Sequence, residues 1–193
     1  MRQEMRKEMK IRLLMFVALI ASATILLQPS AGYAASAAEI DANVDKALAD
    51  LYAKSSEAKV LSQRAKGILV FPRIIKGGFI VGAQGGTGAL RKNGKTSGYY
   101  SSVAVSYGLQ IGVQWFGYAL FFMNDSALEY LNKSGGWEIG TGPSIVAIET
   151  GAASNLSTTT SKEAIYAFTF GQKGLMAGIA LQGTKVTKYT PDK

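Results

Sequence analysis

Eight cations carry most of the chemistry open to this chain: Lys59, Arg64, Lys66, Arg73, Lys76, Arg91, Lys92 and Lys95. They lie between Glu57 and Asp125 with no acidic residue among them. Residues 35–57 are net −3, and from Asp125 onward six basic residues balance six acidic ones, so the positive charge is concentrated in one run. Such a run suits an anion-binding face. Near an anionic membrane each charge contributes on the order of 1 kcal/mol, within a Debye length and only where it faces the bilayer. Arg73, Lys76, Arg91, Lys92 and Lys95 are the best phosphate contacts, expected on turns between strands. Phe71, Phe79 and Trp115 are candidate apolar contacts, each also suited to a core. The alternative is a scattered, solvated set of side chains.

Catalysis has little to work with. The 193 residues include no His and no Cys, which excludes imidazole and thiolate metal sites, Ser-His machinery and disulfides. Glu138 and Glu149 offer a paired-carboxylate route to glycoside hydrolysis, although nothing in their spacing makes them meet. The stretch Gly82-Ala83-Gln84-Gly85-Gly86-Thr87-Gly88 lacks the dinucleotide spacing. The run from Gly88 to Gly94-Lys95-Thr96 places five residues between its glycines where a P-loop needs four. Neither is followed by the helix whose N-terminus would hold phosphate. No catalytic residue, metal or cofactor is expected.

The elements that position the cations follow a leader. Residues 1–12 are basic, residues 13–27 are apolar, and small residues follow. This is the pattern of a secretory signal peptide over residues 1–34, with cleavage near Ala34 or Ala37. The apolar stretch is short for a membrane span, which needs roughly 20 residues. Removing 34 residues would leave 16 basic and 11 acidic residues, a net charge of +5. A periplasmic or secreted protein is expected, peripherally associated with membranes; nucleic acid would accept the same charges but is rarely met there.

Beyond the leader, Ile40, Val44, Leu48, Leu51 and Tyr52 recur at helical spacing, with Asp41, Asp45, Lys46 and Asp50 opposite. The acidic face is wrong for an anionic bilayer and favours packing on the domain. Ser55-Ser56 predicts a break and cap for a second helix through Arg64, closed by Gly67. From Ile68 the period becomes two. Residues 99–114 alternate bulky with small side chains, too long for one straight strand and expected to bend near Gly108. The alternation returns at 137–149, 164–170 and 175–182. Small, glycine-rich faces allow the close approach of a strongly curved, barrel-like sheet. Asn93-Gly94 predicts a hairpin. Ser126-Ala127-Leu128-Glu129 predicts a short helix ended by Gly135-Gly136.

Several stretches carry a resemblance. Lys66-Gly67-Ile68-Leu69-Val70-Phe71-Pro72-Arg73-Ile74-Ile75-Lys76-Gly77-Gly78-Phe79 resembles the SYLF-domain family. Gly98-Tyr99-Tyr100 and the stretches 107–114, 119–123, 136–140 and 170–176 agree with its exported bacterial branch. The resemblance runs from about residue 38 to 190 and implies a single lipid- or actin-associated binding domain without catalysis. Gly86-Thr87-Gly88 departs from the family, which often has an acidic residue between these glycines.

The fold expected is α+β, an N-terminal helical segment packed on a strongly curved, barrel-like, mostly antiparallel sheet. The partner expected is an anionic phospholipid surface bound by the basic face of residues 59–95, with a protein partner also open. An outer-membrane β-barrel or envelope structural protein is the alternative, and a carboxylate-dependent hydrolase a third class.

Overall fold

The computed structural model describes residues 35–78, 81–107, 112–149, 163–171 and 181–192. The leader, its cleavage site at Ala34 and the candidate contact Phe79 lie outside them. Helix α1 (Ala37–Lys54) starts at Ser36, whose hydroxyl accepts the Glu39 N–H at 3.3 Å. It buries Ile40, Val44, Ala47 and Leu51 on one stripe. Ser55 ends α1 and caps α2 (Ser56–Ser62), accepting the Ala58 N–H at 3.1 Å. One short polar residue therefore turns the chain between two helices.

Eight strands follow, β1 (Gly67–Gly78), β2 (Val81–Lys92), β3 (Lys95–Tyr107), β4 (Gly112–Phe122), β5 (Trp137–Glu138), β6 (Ile145–Glu149), β7 (Ile165–Phe170) and β8 (Lys185–Tyr189). They form one sheet in the order β5-β8-β3-β2-β1-β4-β7-β6. Every pairing is antiparallel except β6 with β7. The sheet curls strongly into a half-barrel, and the architecture is the expected α+β.

The glycines of β2 make the curl. A Cβ at Gly88 would collide with the Val70 carbonyl, and one at Gly86 with that of Arg73. The stretch that superficially resembles a phosphate loop is thus a strand whose bare positions let β1 press close. Asn93 (φ 50°) and Gly94 (φ 76°) turn β2 into β3, as the Asn-Gly pair predicts. The inner face of the curl packs Leu69, Phe71, Tyr118, Phe122 and Trp137. The outer face packs Ile68, Val70, Ala89, Phe121 and Phe168 beneath α1 and α2.

Three expectations are corrected. The run 137–149 is not one strand: Gly140 and Gly142 adopt positive φ (103° and 96°) and separate β5 from β6. The short helix α3 (Asp125–Glu129) is capped by Asn124, which accepts the Ala127 N–H at 2.8 Å, and a 3-10 turn at Tyr130–Asn132 continues it. Ser126 donates to that same Asn124 side chain instead of capping. Of the strand expected at 175–182, Leu181 and Gln182 sit in a turn and the rest lies outside the described residues. β8, which pairs with β3, carries no sequence signal strong enough to predict it. The alternation of 99–114 does split, into β3 and β4, which β2 and β1 separate in the sheet.

Candidate functional site

The helices cover only part of the outer sheet face. Where they stop, Trp115, Ile75 and Val103 stand in one rank across β4, β1, β2 and β3, through the register Trp115↔Ile75, Ile75↔Gly85 and Gly85↔Val103. Trp115 is 62% exposed, Ile75 48%, Val103 51% and Val105 61%. Large apolar side chains grouped this way on a water-facing sheet mark an interaction surface. Val103 and Val105 of β3 are therefore exposed, and the small residues Ser102 and Ala104 that alternate with them are buried.

A bulge in β1 adds a cation to this patch. The β1–β4 register shifts between Phe71 and Ile74, leaving Pro72 and Arg73 out of the ladder. Proline lacks the N–H a ladder needs, which suits it to a bulge. Arg73 is carried over Trp115, its Cζ 4.6 Å from the ring centroid. Among the described residues it has no carboxylate partner. Beside it a groove of about 500 Å³ runs between α1 and the sheet, lined by Lys46, Lys54, Arg73 and Trp115 along with Glu39 and Asp50. Gly117 lines it as well, at a position where a Cβ would collide with the Phe170 ring.

The eight sequence-predicted cations do not converge. Lys66, Lys92 and Lys95 sit where β1 begins and the β2–β3 hairpin turns, with Lys59 on α2 and Arg64 just after it. Lys59, Arg64, Lys66, Lys92 and Lys95 are all exposed. Lys76 lies toward the other end of β1, roughly 30 Å from Lys66 at ~3.3 Å per residue. It pairs in register with Gln84 and Gln114, on the face opposite Ile75. Arg73 and Lys76 thus lie within a strand and not on turns.

Arg91 is an internal tie. Its side chain is 10% exposed, with Nη2 2.6 Å from Asp45 Oδ1 and Nη1 3.2 Å from Asp41 Oδ1. Nη1 also contacts the Thr96 hydroxyl. Thr96 and Tyr99 each donate a hydroxyl to Asp41, at 2.7 and 2.9 Å. The acidic face of α1 is therefore not wholly solvated: Asp41 and Asp45 fasten the helix to the sheet. That removes Arg91 from the surface available to phosphate.

Of the candidate apolar contacts, Phe71 is fully buried in the core and Trp115 is exposed. Sequence reading missed Val103, Val105, Lys46 and Lys54. The spacing of Lys46, Asp50 and Lys54 on one helix face was the available signal for the last two. Glu138 and Glu149 fall on β5 and β6, the opposite edges of the sheet, with six strands between them in sheet order.

These features define an α+β half-barrel whose outer face is apolar and cationic where its helices leave it bare. Residues 103–192, a little under half of the chain, match the SYLF-domain family model Ysc84, described as Las17-binding protein actin regulator. The family is associated with lipid binding and actin regulation. Among curated proteins no relative matches the chain.

Proposed function

We propose that this is an exported, non-catalytic protein that docks peripherally on anionic phospholipid. The observation that carries the reading is the bare end of the outer sheet face, where Trp115 stands 62% exposed with the Arg73 guanidinium 4.6 Å above its ring. Trp suits a membrane interface because its ring is amphipathic, and an arginine beside it can reach a phosphate while its stem covers apolar surface. The wider run of Lys59, Arg64, Lys66, Lys76, Lys92 and Lys95 supplies long-range attraction to an anionic surface instead of one contact face. The leader-like residues 1–34 support export.

A transmembrane barrel is disfavoured by the outer face, part of which α1 and α2 cover, and by the apolar packed interior of the curl. A spanning barrel reverses both arrangements. No helix among the described residues is long and apolar enough to cross a membrane.

The test is co-sedimentation of the leader-free protein with phosphatidylglycerol vesicles against phosphatidylcholine, at low and high salt. Preferential pelleting with phosphatidylglycerol is expected, reduced by salt. Trp115→Ser should weaken it about tenfold, the equivalent of ~1.4 kcal/mol. Equal pelleting with both lipids would sink the anionic preference, and an unaffected Trp115→Ser variant would sink the patch.

A further inference from the structure

A second cavity opens at the other end of the molecule, on the inner side of the sheet beyond the β2–β3 hairpin. It measures about 410 Å³, within the range of small-molecule sites. Leu90, Leu128 and Leu131 give it an apolar wall, and Lys92 and Lys188 stand at its polar side. No acidic residue lines it among the described residues. Neither lysine has an ion-pair partner among the described residues.

Two further groups shape the cavity. Tyr100, which pairs in register with Lys188, makes no hydrogen bond through its hydroxyl among the described residues. Burial pushes that phenol above its ordinary value, which keeps it protonated and able to donate. Gly98 leaves the space open: its backbone is not in the left-handed region, and the atoms nearest an added Cβ would belong to Tyr100, the closest at 3.5 Å. A larger side chain there would grow into the cavity.

We propose that this cavity binds a single-tailed phosphate monoester, with the phosphate between Lys92 and Lys188 and the alkyl chain along the leucines. Two unpaired ammonium groups match a head group carrying close to two negative charges better than they match a carboxylate. The Tyr100 hydroxyl adds a donor for one phosphate oxygen. The site is separate from the Trp115 patch and does not depend on membrane docking.

Calorimetric titration of the protein with decyl phosphate, below the concentration at which it aggregates, tests the assignment. Decyl phosphate should bind at one site, with decanol, decanoate and inorganic phosphate each at least about tenfold weaker. Lys188→Ala and Lys92→Ala, both exposed and safe for folding, should each weaken decyl phosphate at least about fivefold. Gly98→Leu should block it. Arg73→Glu, which is aimed at vesicle docking, should leave it unchanged. Decanol or decanoate binding as tightly as decyl phosphate, or full binding by the Lys188→Ala variant, would overturn the proposal.

Discussion

Arg73 and Arg91 sit on the same sheet face among the same kinds of neighbours, yet they do opposite things. Arg91 lies under α1 and is held by Asp41 and Asp45. Arg73 lies across a groove from α1 and rests on an exposed indole. The apolar residues divide in the same way. Phe121 and Val70 are fully buried beneath the helices, while Trp115 and Ile75, further along the same two strands, face water. On this sheet availability is set by which part the helices cover, because the strand sequence is equally apolar in both regions.

The largest expected effect lies on the covered side. Phe121→Ala removes a ring packed edge-on to Phe168, with centroids 5.0 Å apart, and should cost about 3–5 kcal/mol in urea unfolding. Trp115→Ser should change unfolding by no more than ~0.5 kcal/mol. Similar losses for the two would erase the distinction between the regions.

The arginines come next. Arg91→Ala removes the ion pairs to Asp41 and Asp45, leaving Asp41 only its Thr96 and Tyr99 donors, and, discounted for the partial exposure of the carboxylates, should cost about 2 kcal/mol. Arg73→Ala loses an exposed cation–π contact, about 0.5–1 kcal/mol, and its larger effect should appear in vesicle binding. Thermal melts of both variants check the order.

A smaller effect concerns pH. Burial pushes the Tyr118 phenol well above its ordinary 10.0, in spite of the hydrogen bond it donates to Ser102 at 2.7 Å. A group whose folded value is raised stabilises fully below its unfolded value and loses that contribution as pH climbs through the folded one. Stability should therefore fall above about pH 10, and Tyr118→Phe should flatten that decline. An equally steep decline in the variant would show that other groups control it.

A further modest effect is at the helix start. Ser36→Ala should cost about 1 kcal/mol through loss of the cap on α1. Cleavage after Ala34 would retain Ser36 and cleavage after Ala37 would remove it. N-terminal sequencing of the mature protein should accordingly find Ala35; a start at Ala38 would contradict that assignment.

Much of the fold was legible because local rules and tertiary needs agree there. Ile40, Val44 and Leu51 mark a helical stripe, Ser55 a break and cap, and Asn93-Gly94 a hairpin. The glycines of β2 announce a close approach even though the sequence does not reveal which neighbour comes near. Where local signals were ambiguous, the reading failed. Asn124 and Ser126 are both good caps, and in the fold Asn124 takes the cap while Ser126 donates to its side chain. The five residues of β8 are too few to register as a pattern and form a strand because β3 offers them an edge.

The candidate site was less legible. Charge along a chain is countable, so the acid-free run from Lys59 to Lys95 was visible at once. Its division between the two ends of a strand, and the pairing of Arg91 with a helix some fifty residues earlier, depend on sheet order and register. By itself the sequence determined which residue types were on hand: eight cations in one run, no imidazole, no thiol, and strands with one bulky face. Only the tertiary structure decided which of those cations and bulky faces meet water. Exposure depends on what packs across a surface, and a groove separates Trp115 from the flank of α1.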